Sequence, residues 1–211
     1  MRIGVLGTGV VGRTIAGKLR ELGHEVLVGS RSAGEDAVPF AEAAAHGELV
    51  FNCTNGNASL QALGAAGEEN LAGKVLVDVA NALDFSQGSP PRVGVAEGGS
   101  VGELIQREFP AAKVVKALNT MNANVMVDPG SVPGEHDLFI SGNDPEAKTR
   151  VAELLQTFGW PAERIIDLGD ITAARGQEVT AARGQEAYVA LWVQLMGVVG
   201  GPTFNIHVAT G

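Results

Sequence analysis

A chain of 211 residues, 45% apolar and only 18% charged, is long enough for one substantial core and too apolar to be disordered. A net charge of −9, with no basic stripe interleaved with aromatics, argues against a nucleic-acid partner. The single cysteine, Cys53, excludes an internal disulfide framework and a cysteine-rich metal site, and no other pattern asks for a metal.

Taken in chain order, strand-like and helix-like segments alternate, which is the signature of a parallel sheet covered by helices. Arg2 to Leu6 is a short apolar strand. Val10 to Leu22 follows with helical spacing, Val11, Ile15, Leu19 and Leu22 sharing one face. Glu25 to Val28 is the second strand, and Leu49 to Cys53, Lys74 to Val79, Lys113 to Leu118, Leu138 to Ser141 and Ile165 to Leu168 are further strands. Helices are expected at Ser59 to Ala66, Val101 to Phe109 and Pro145 to Phe158, the last opened by Asn143-Asp144-Pro145. Ala82 to Gly99, with Ser-Pro-Pro and several glycines, reads as a long loop near the carboxyl ends of the strands.

From Ile171 a long helical segment is expected, ending at Gly200-Gly201-Pro202 before a final strand, Phe204 to Val208. It contains a tandem repeat, ITAARGQE at Ile171 to Glu178 and VTAARGQE at Val179 to Glu186. Eight residues of helix return about 80° off the starting face, so two copies in one continuous helix cannot present the same surface. The simplest reading is a local duplication that lengthens a helix or makes a bulged loop. The longest apolar stretch, Tyr188 to Val199, is interrupted by Gln194 and too short to span a bilayer. With no charged leader ahead of the first strand, a cytoplasmic protein is the expectation. The fold class is therefore α/β, a Rossmann-type doubly wound and mainly parallel sheet with a small C-terminal helical extension and final strand. Residues 1–168 form the dinucleotide-binding domain. Residues 169–211 form an extension on the substrate and dimer side, not an independent domain.

Gly7-Thr8-Gly9-Val10-Val11-Gly12 matches G-x-G-x-x-G, with a strand before it, a helix after it and a second strand ending about 20 residues on. The first glycine allows the tight turn, the second the approach of backbone to a pyrophosphate, the third close packing of helix on strand. The second strand runs into Gly29-Ser30-Arg31-Ser32, where an acid would normally hold a ribose hydroxyl and repel a 2′-phosphate. Arg31 instead offers charge, a fork of donors and a planar face for adenine, with Ser30 and Ser32 as neutral donors beside it. NADP(H) rather than NAD(H) is the cofactor these residues predict.

No acid–base residue stands out at the nicotinamide end. Of the four histidines, His24, His46 and His136 are placed at the wrong end of the sheet and His207 at the surface. Tyr188 has no Tyr-x-x-x-Lys partner. Lys116 lies within a strand and reads more simply as a satisfied lysine, and Cys53 as a core residue. The strand ends carry Thr54-Asn55, Ala80-Asn81 and Asn119-Thr120-Met121-Asn122, which orient rings and carboxamides rather than ionise. No catalytic side chain is assigned. Hydride exchange between two ring coenzymes needs chiefly proximity, with the cofactors carrying the chemistry.

The stretches MRIGVLGTGVVGRTIAGKLRELGHEVLVGSRS, LVDVANALD, KVVKALNTM, DLFISGNDPEAK and ALWVQLMG…FNIHV resemble the NADPH:coenzyme F420 oxidoreductases and their bacterial relatives over nearly the full length. The resemblance implies a Rossmann domain with a small C-terminal extension, usually a homodimer. It also implies hydride transfer between NADP(H) and a deazaflavin coenzyme. A similar group, the cytosolic reductase domain of six-transmembrane ferric reductases, passes electrons from NADPH to flavin. The archaeal F420 enzymes carry histidine where Asn119 stands and an Ile-Pro pair where Met121-Asn122 stands. Three readings remain open: an NADP(H)–F420 oxidoreductase, an NADPH-dependent flavin or ferric-chelate reductase, and a non-catalytic NADP(H)-binding sensor. Each takes a small-molecule redox coenzyme as partner, and none needs a membrane.

Overall fold

The computed structural model describes residues 1–32, 34, 36–84, 86, 92–93, 99–178 and 195–208. The chain opens with β1 (Arg2–Leu6), α1 (Val10–Glu21), β2 (Glu25–Ser30), β3 (Val38–Pro39), α2 (Phe40–His46) and β4 (Leu49–Asn52). It continues through α3 (Gly56–Ala66), α4 (Glu68–Leu71), β5 (Val75–Asp78), the short pair β6 (Leu83–Asp84) and β7 (Arg92–Val93), α5 (Val101–Glu108) and β8 (Lys113–Ala117). The remaining elements are α6 (Ala123–Val127), β9 (Leu138–Gly142), α7 (Pro145–Thr157), β10 (Ile165–Asp167) and α8 (Ala174–Gln177).

Among the described residues the main sheet has eight strands in the order β3-β2-β1-β4-β5-β8-β9-β10. The first six run parallel, and β9 turns antiparallel to β8 while pairing parallel with β10. Strands β4 and β5, LVFN and VLVD, are buried along their whole length, as strands covered on both faces must be. Register aligns Val28, Val5, Phe51, Val77 and Val115 in one row across the sheet. The next strand meets that row with Gly142, where a Cβ would lie 2.6 Å from the Val114 carbonyl oxygen. Alternate residues feed two cores. Val5, Phe51, Val77 and Val115 join Ile15 and Leu19 of α1 on one face, and Leu6, Val50, Leu76 and Val114 join Leu63 of α3 and Ile105 of α5 on the other. This is the doubly wound α/β arrangement expected, with the crevice where the chain, having run from β1 outward to β3, crosses back to β4.

Helix starts are fixed by side chains. Ser100 and Glu103 form a reciprocal capping box on α5, and the Asp144 carboxylate accepts from the Ala147 N–H at 2.8 Å where Pro145 opens α7. Three short helices escape the periodicity. α2 is alanine-rich, α4 is one turn, and α6 depends on Asn122, whose side chain caps the Asn124 and Val125 N–H groups. Inside the expected loop after Ala82, β6 and β7 pair antiparallel. The continuous helix expected from Ile171 is broken near its start, while residues 195–199, at its expected end, are helical. A 3₁₀ turn at Ile171–Ala173 passes into α8, and Glu178 then leaves helical geometry at φ −103°, ψ 164°. The second repeat copy, Val179 to Glu186, lies outside the described residues.

The antiparallel course of β9 corrects the placement of His136. Its strand starts, rather than ends, beside the carboxyl end of β8, so His136 belongs to the same side of the sheet as the glycine-rich turn. The reason it is no catalytic candidate is its engagement. Nε2 lies 2.9 Å from the Pro129 carbonyl, and the ring meets Trp160 edge-on at 5.2 Å. Phe204 to Val208, expected as a final strand, are irregular backbone beside this point, where the Asp137 N–H donates to the Ile206 carbonyl and Asp137 Oδ2 lies 3.0 Å from His207 Nδ1.

Trp160 is 1% exposed and donates its indole N–H to the Met126 carbonyl at 3.0 Å, tying the end of α7 to α6. Trp160→Ala is expected to cost roughly 3–5 kcal/mol of stability. In a chain of this length that lowers the melting temperature by roughly 10 °C, read by thermal circular dichroism.

Candidate active site

The three glycines after β1 meet different steric demands. Gly7 has φ +124°, and a Cβ there would meet the Cys53 carbonyl oxygen at 2.7 Å. At Gly12 a Cβ would lie 2.0 Å from the Gly7 carbonyl oxygen, so α1 starts this close to the turn only because the side chain is missing. Gly9 behaves differently: a Cβ there would touch nothing within 4 Å, because its bare backbone faces open cavity. Gly9 is also the N-cap of α1, whose first turn has no side-chain cap and no acidic residue. Such a helix start presents free N–H groups to an anion.

Cavities surround this turn. One of about 600 Å³ is bordered by Gly7, Thr8 and Gly9, by Ser30 and Arg31 at the end of β2, and by Thr54, Asn55 and the face of α3. A second, about 300 Å³, is bordered by Gly9, Val10, Val11, Thr54, Asn55, Ala80, Asn81 and Asn119. The two share Gly9, Cys53, Thr54 and Asn55, so they form one path from the end of β2 to the end of β8. A third, about 800 Å³, opens beside α1 and includes Thr8, Ser30 and Ser32. Of the residues named from sequence, Gly12 alone borders none of these cavities; it packs behind them.

At the β2 end the Ser30 hydroxyl donates to the Ser32 carbonyl and accepts from the Ser32 N–H, closing the turn on itself. Arg31 projects from that turn, exposed and with no acidic partner among the described residues. At the β8 end the wall is made of amides. Asn81 Nδ2 donates to the Asn119 carbonyl at 2.7 Å, and Asn119 Nδ2 donates to Asn81 Oδ1 at 3.0 Å and to the Gln177 carbonyl at 2.9 Å. Asn119 Oδ1 is left buried without a partner among the described residues. Asn55 is spent structurally, its Oδ1 capping α3 and its Nδ2 held by the Leu83 carbonyl. Leu118, between β8 and Asn119, is fully buried with φ +64°, a left-handed conformation a leucine adopts only when its surroundings force it.

Residues 2–82 match the family described as NADP oxidoreductase, coenzyme F420-dependent. The F420-dependent NADP reductase of Methanothermobacter marburgensis is 30% identical over 199 residues, covering 83% of this chain and 87% of that protein. The chain belongs to this family. A crystal structure of a candidate F420-dependent NADP-reductase from Arthrobacter sp. FB24 is 48% identical, with a TM-score of 0.88 and full coverage of both chains. The metalloreductase STEAP3 of Rattus norvegicus is 30% identical over 188 residues, 84% of this chain. This chain spans only about a third (36%) of that protein's length.

Beneath the F420-family cleft lies a charged cluster of which the sequence shows only Lys116 plainly. The Lys116 ammonium, 0% exposed, contacts Asp78 Oδ2 at 2.8 Å, Glu178 Oε1 at 2.7 Å and the Ala80 carbonyl. Asp78 also accepts from Asn52 Nδ2 at 2.8 Å and the Ala80 N–H at 3.2 Å. Glu178 caps α5 from outside, accepting the Val101 and Gly102 N–H groups at 2.6 and 3.0 Å. Burial pulls the Lys116 pKa down, but Asp78 and Glu178 outweigh it and hold the ammonium above the usual lysine value. Burial, helped by Asp78, holds the Glu178 carboxyl above the usual carboxylate range despite Lys116. Burial also pushes the Cys53 thiol up, which keeps it un-ionised and a poor nucleophile. Gln177 completes the seat, bonded to Ser141 and to the Phe139 carbonyl. A charge inside each of the apolar strands VLVD and KVVKA was the available signal for Asp78 and Lys116, whereas nothing local marks Glu178.

Replacing one member strands the others as unpaired buried charges. Lys116→Met is expected to cost roughly 3–5 kcal/mol in urea unfolding, and adding Glu178→Gln to it should recover part of that loss.

Proposed function

We propose that this chain transfers hydride between NADP(H) and coenzyme F420. The observation that carries the reading is the composition of the 300 Å³ cavity. Its lining is apolar, amide and threonine hydroxyl, and Cys53, held un-ionised, is its one titratable side chain among the described residues. Such a pocket suits a reaction in which two planar coenzymes meet and no protein acid or base intervenes. NADP(H), when bound, supplies or receives the hydride.

The residues fit that cofactor. The glycine turn and the uncapped start of α1 would hold the pyrophosphate, with Gly9 leaving room where any side chain would intrude. Arg31 would take the 2′-phosphate and cover adenine, opposite α3. The orphaned Asn119 Oδ1 is an acceptor waiting for an N–H donor, such as a carboxamide, at the far end of the path. On this reading residues 1–168 bind NADP(H) and residues 169–211 border the second coenzyme. A cytoplasmic homodimer belongs to the same reading, with the exposed Val198 and Val199 as apolar surface for a second copy. A flavin or ferric chelate is the second acceptor reading, favoured by the metalloreductase relative.

Mixing the protein with NADPH and F420 should bleach the visible absorbance of the oxidised deazaflavin. No change at high enzyme concentration would sink the proposal, and bleaching of FMN, FAD or reduction of ferric chelates alone would favour the second reading. Arg31→Ala should weaken NADPH binding about tenfold while leaving NADH binding nearly unchanged, because the lost charge-assisted bonds reach only the 2′-phosphate. Calorimetric titration of both nucleotides measures this.

A further inference from the structure

The sequence motif accounts for one cation at the adenosine end, but the structure brings a second to the same point. The 600 and 800 Å³ cavities have two lining residues in common, Thr8 and Ser30. These stand at the middle of the glycine turn and the end of β2, where a ribose 2′-substituent leaves the dinucleotide path. Arg31 borders the first cavity and Arg13, in the first turns of α1, borders the second. A group lodged between Thr8 and Ser30 lies where the two cavities meet, one bordered by Arg31 and the other by Arg13.

Arg13 is already oriented for this. Its Nε donates to the Thr8 carbonyl at 2.9 Å, which fixes the guanidinium beside Thr8, and its Nη donors meet no partner among the described residues. A chain with 24 acidic residues against 15 lysines and arginines leaves this arginine without an acidic partner among the described residues. The carboxylate in its cavity, Asp36, is outnumbered there by Arg13 and Arg20. A further donor is also needed, because the Ser30 hydroxyl hydrogen is committed to the Ser32 carbonyl.

We infer that Arg13 is a second phosphate-binding cation, closing on the 2′-phosphate of NADP(H) from the side opposite Arg31. The inference rests on the NADP(H) reading above and adds a residue that the G-x-G-x-x-G pattern does not specify. Arg13 is a determinant of cofactor choice, not of hydride transfer.

Calorimetric titration of NADPH and NADH into the wild-type protein, Arg13→Ala, Arg13→Lys and Arg31→Ala separates the possibilities. Arg13→Ala should weaken NADPH about tenfold and NADH less than about twofold. It should also flatten the salt dependence of NADPH binding, and Arg13→Lys should fall between it and the wild type. Equal losses for both nucleotides would mean that Arg13 only braces the Thr8 carbonyl, and no loss for NADPH would also overturn the inference. Should Arg31→Ala discriminate while Arg13→Ala does not, the inference falls and the NADP(H) reading stands. A wild-type protein with no preference for NADPH would bring down both.

Discussion

The ammonium of Lys116 lies out of reach of water between two carboxylates that come from different parts of the chain, Asp78 at the end of β5 and Glu178 just beyond α8. Much of the molecule is arranged to satisfy it. Asp78 draws Asn52 of β4 and the N–H of Ala80 into the same network, and Glu178 takes up the two free N–H groups at the start of α5. An unpaired charge at this depth would be prohibitive, so the cluster is all or nothing. It thereby fixes three strand ends and the C-terminal extension relative to one another.

That fixing shapes the cleft. Lys116 holds the Ala80 carbonyl, the next residue Asn81 clasps Asn119, and Asn119 is held in turn by the carbonyl of Gln177, next to Glu178. The amide wall at the β8 end thus stands on the charged cluster through short covalent links. Leu118 in its left-handed conformation is part of the same tension, a residue made to turn so that Asn119 can face its partners. A wall built in this way presents fixed dipoles and, among the described residues, no titratable group, which is what the proposed meeting of two rings asks of it. The β2 end is the opposite, an exposed arginine on a self-closed turn, suited to a charged group that arrives from solvent.

Much of this was legible in the sequence. The alternation of strand and helix gave a doubly wound sheet, and the glycine spacing with its flanking elements located the crevice. Arg31 in the place of an acid is the residue on which the proposed preference for NADP(H) rests. Each of these depends on local geometry: a turn, a helix start, a strand end. Short helices such as α2, α4 and α6 were not legible, because a turn or two carries too little periodicity and their stability comes from packing. His136 was misplaced for another reason, since strand direction is decided by the path of the chain and not by strand composition, and β9 reverses.

The repeat shows where the division falls. As sequence, TAARGQE occurs twice and neither copy is marked for a role. In the fold, the first copy is used almost residue by residue: Ile171 and Ala174 in the core, Arg175 on Glu103, Gln177 against β9 and Glu178 on Lys116. The sequence alone determined the fold class, the crevice and the glycine turn beside it, because those follow from contacts between near neighbours. Tertiary structure decided that Glu178 partners Lys116 and that the cavities bordered by Arg13 and by Arg31 meet at Thr8 and Ser30. In both cases the residues are brought together by the packing of separate elements, and no local pattern encodes that meeting.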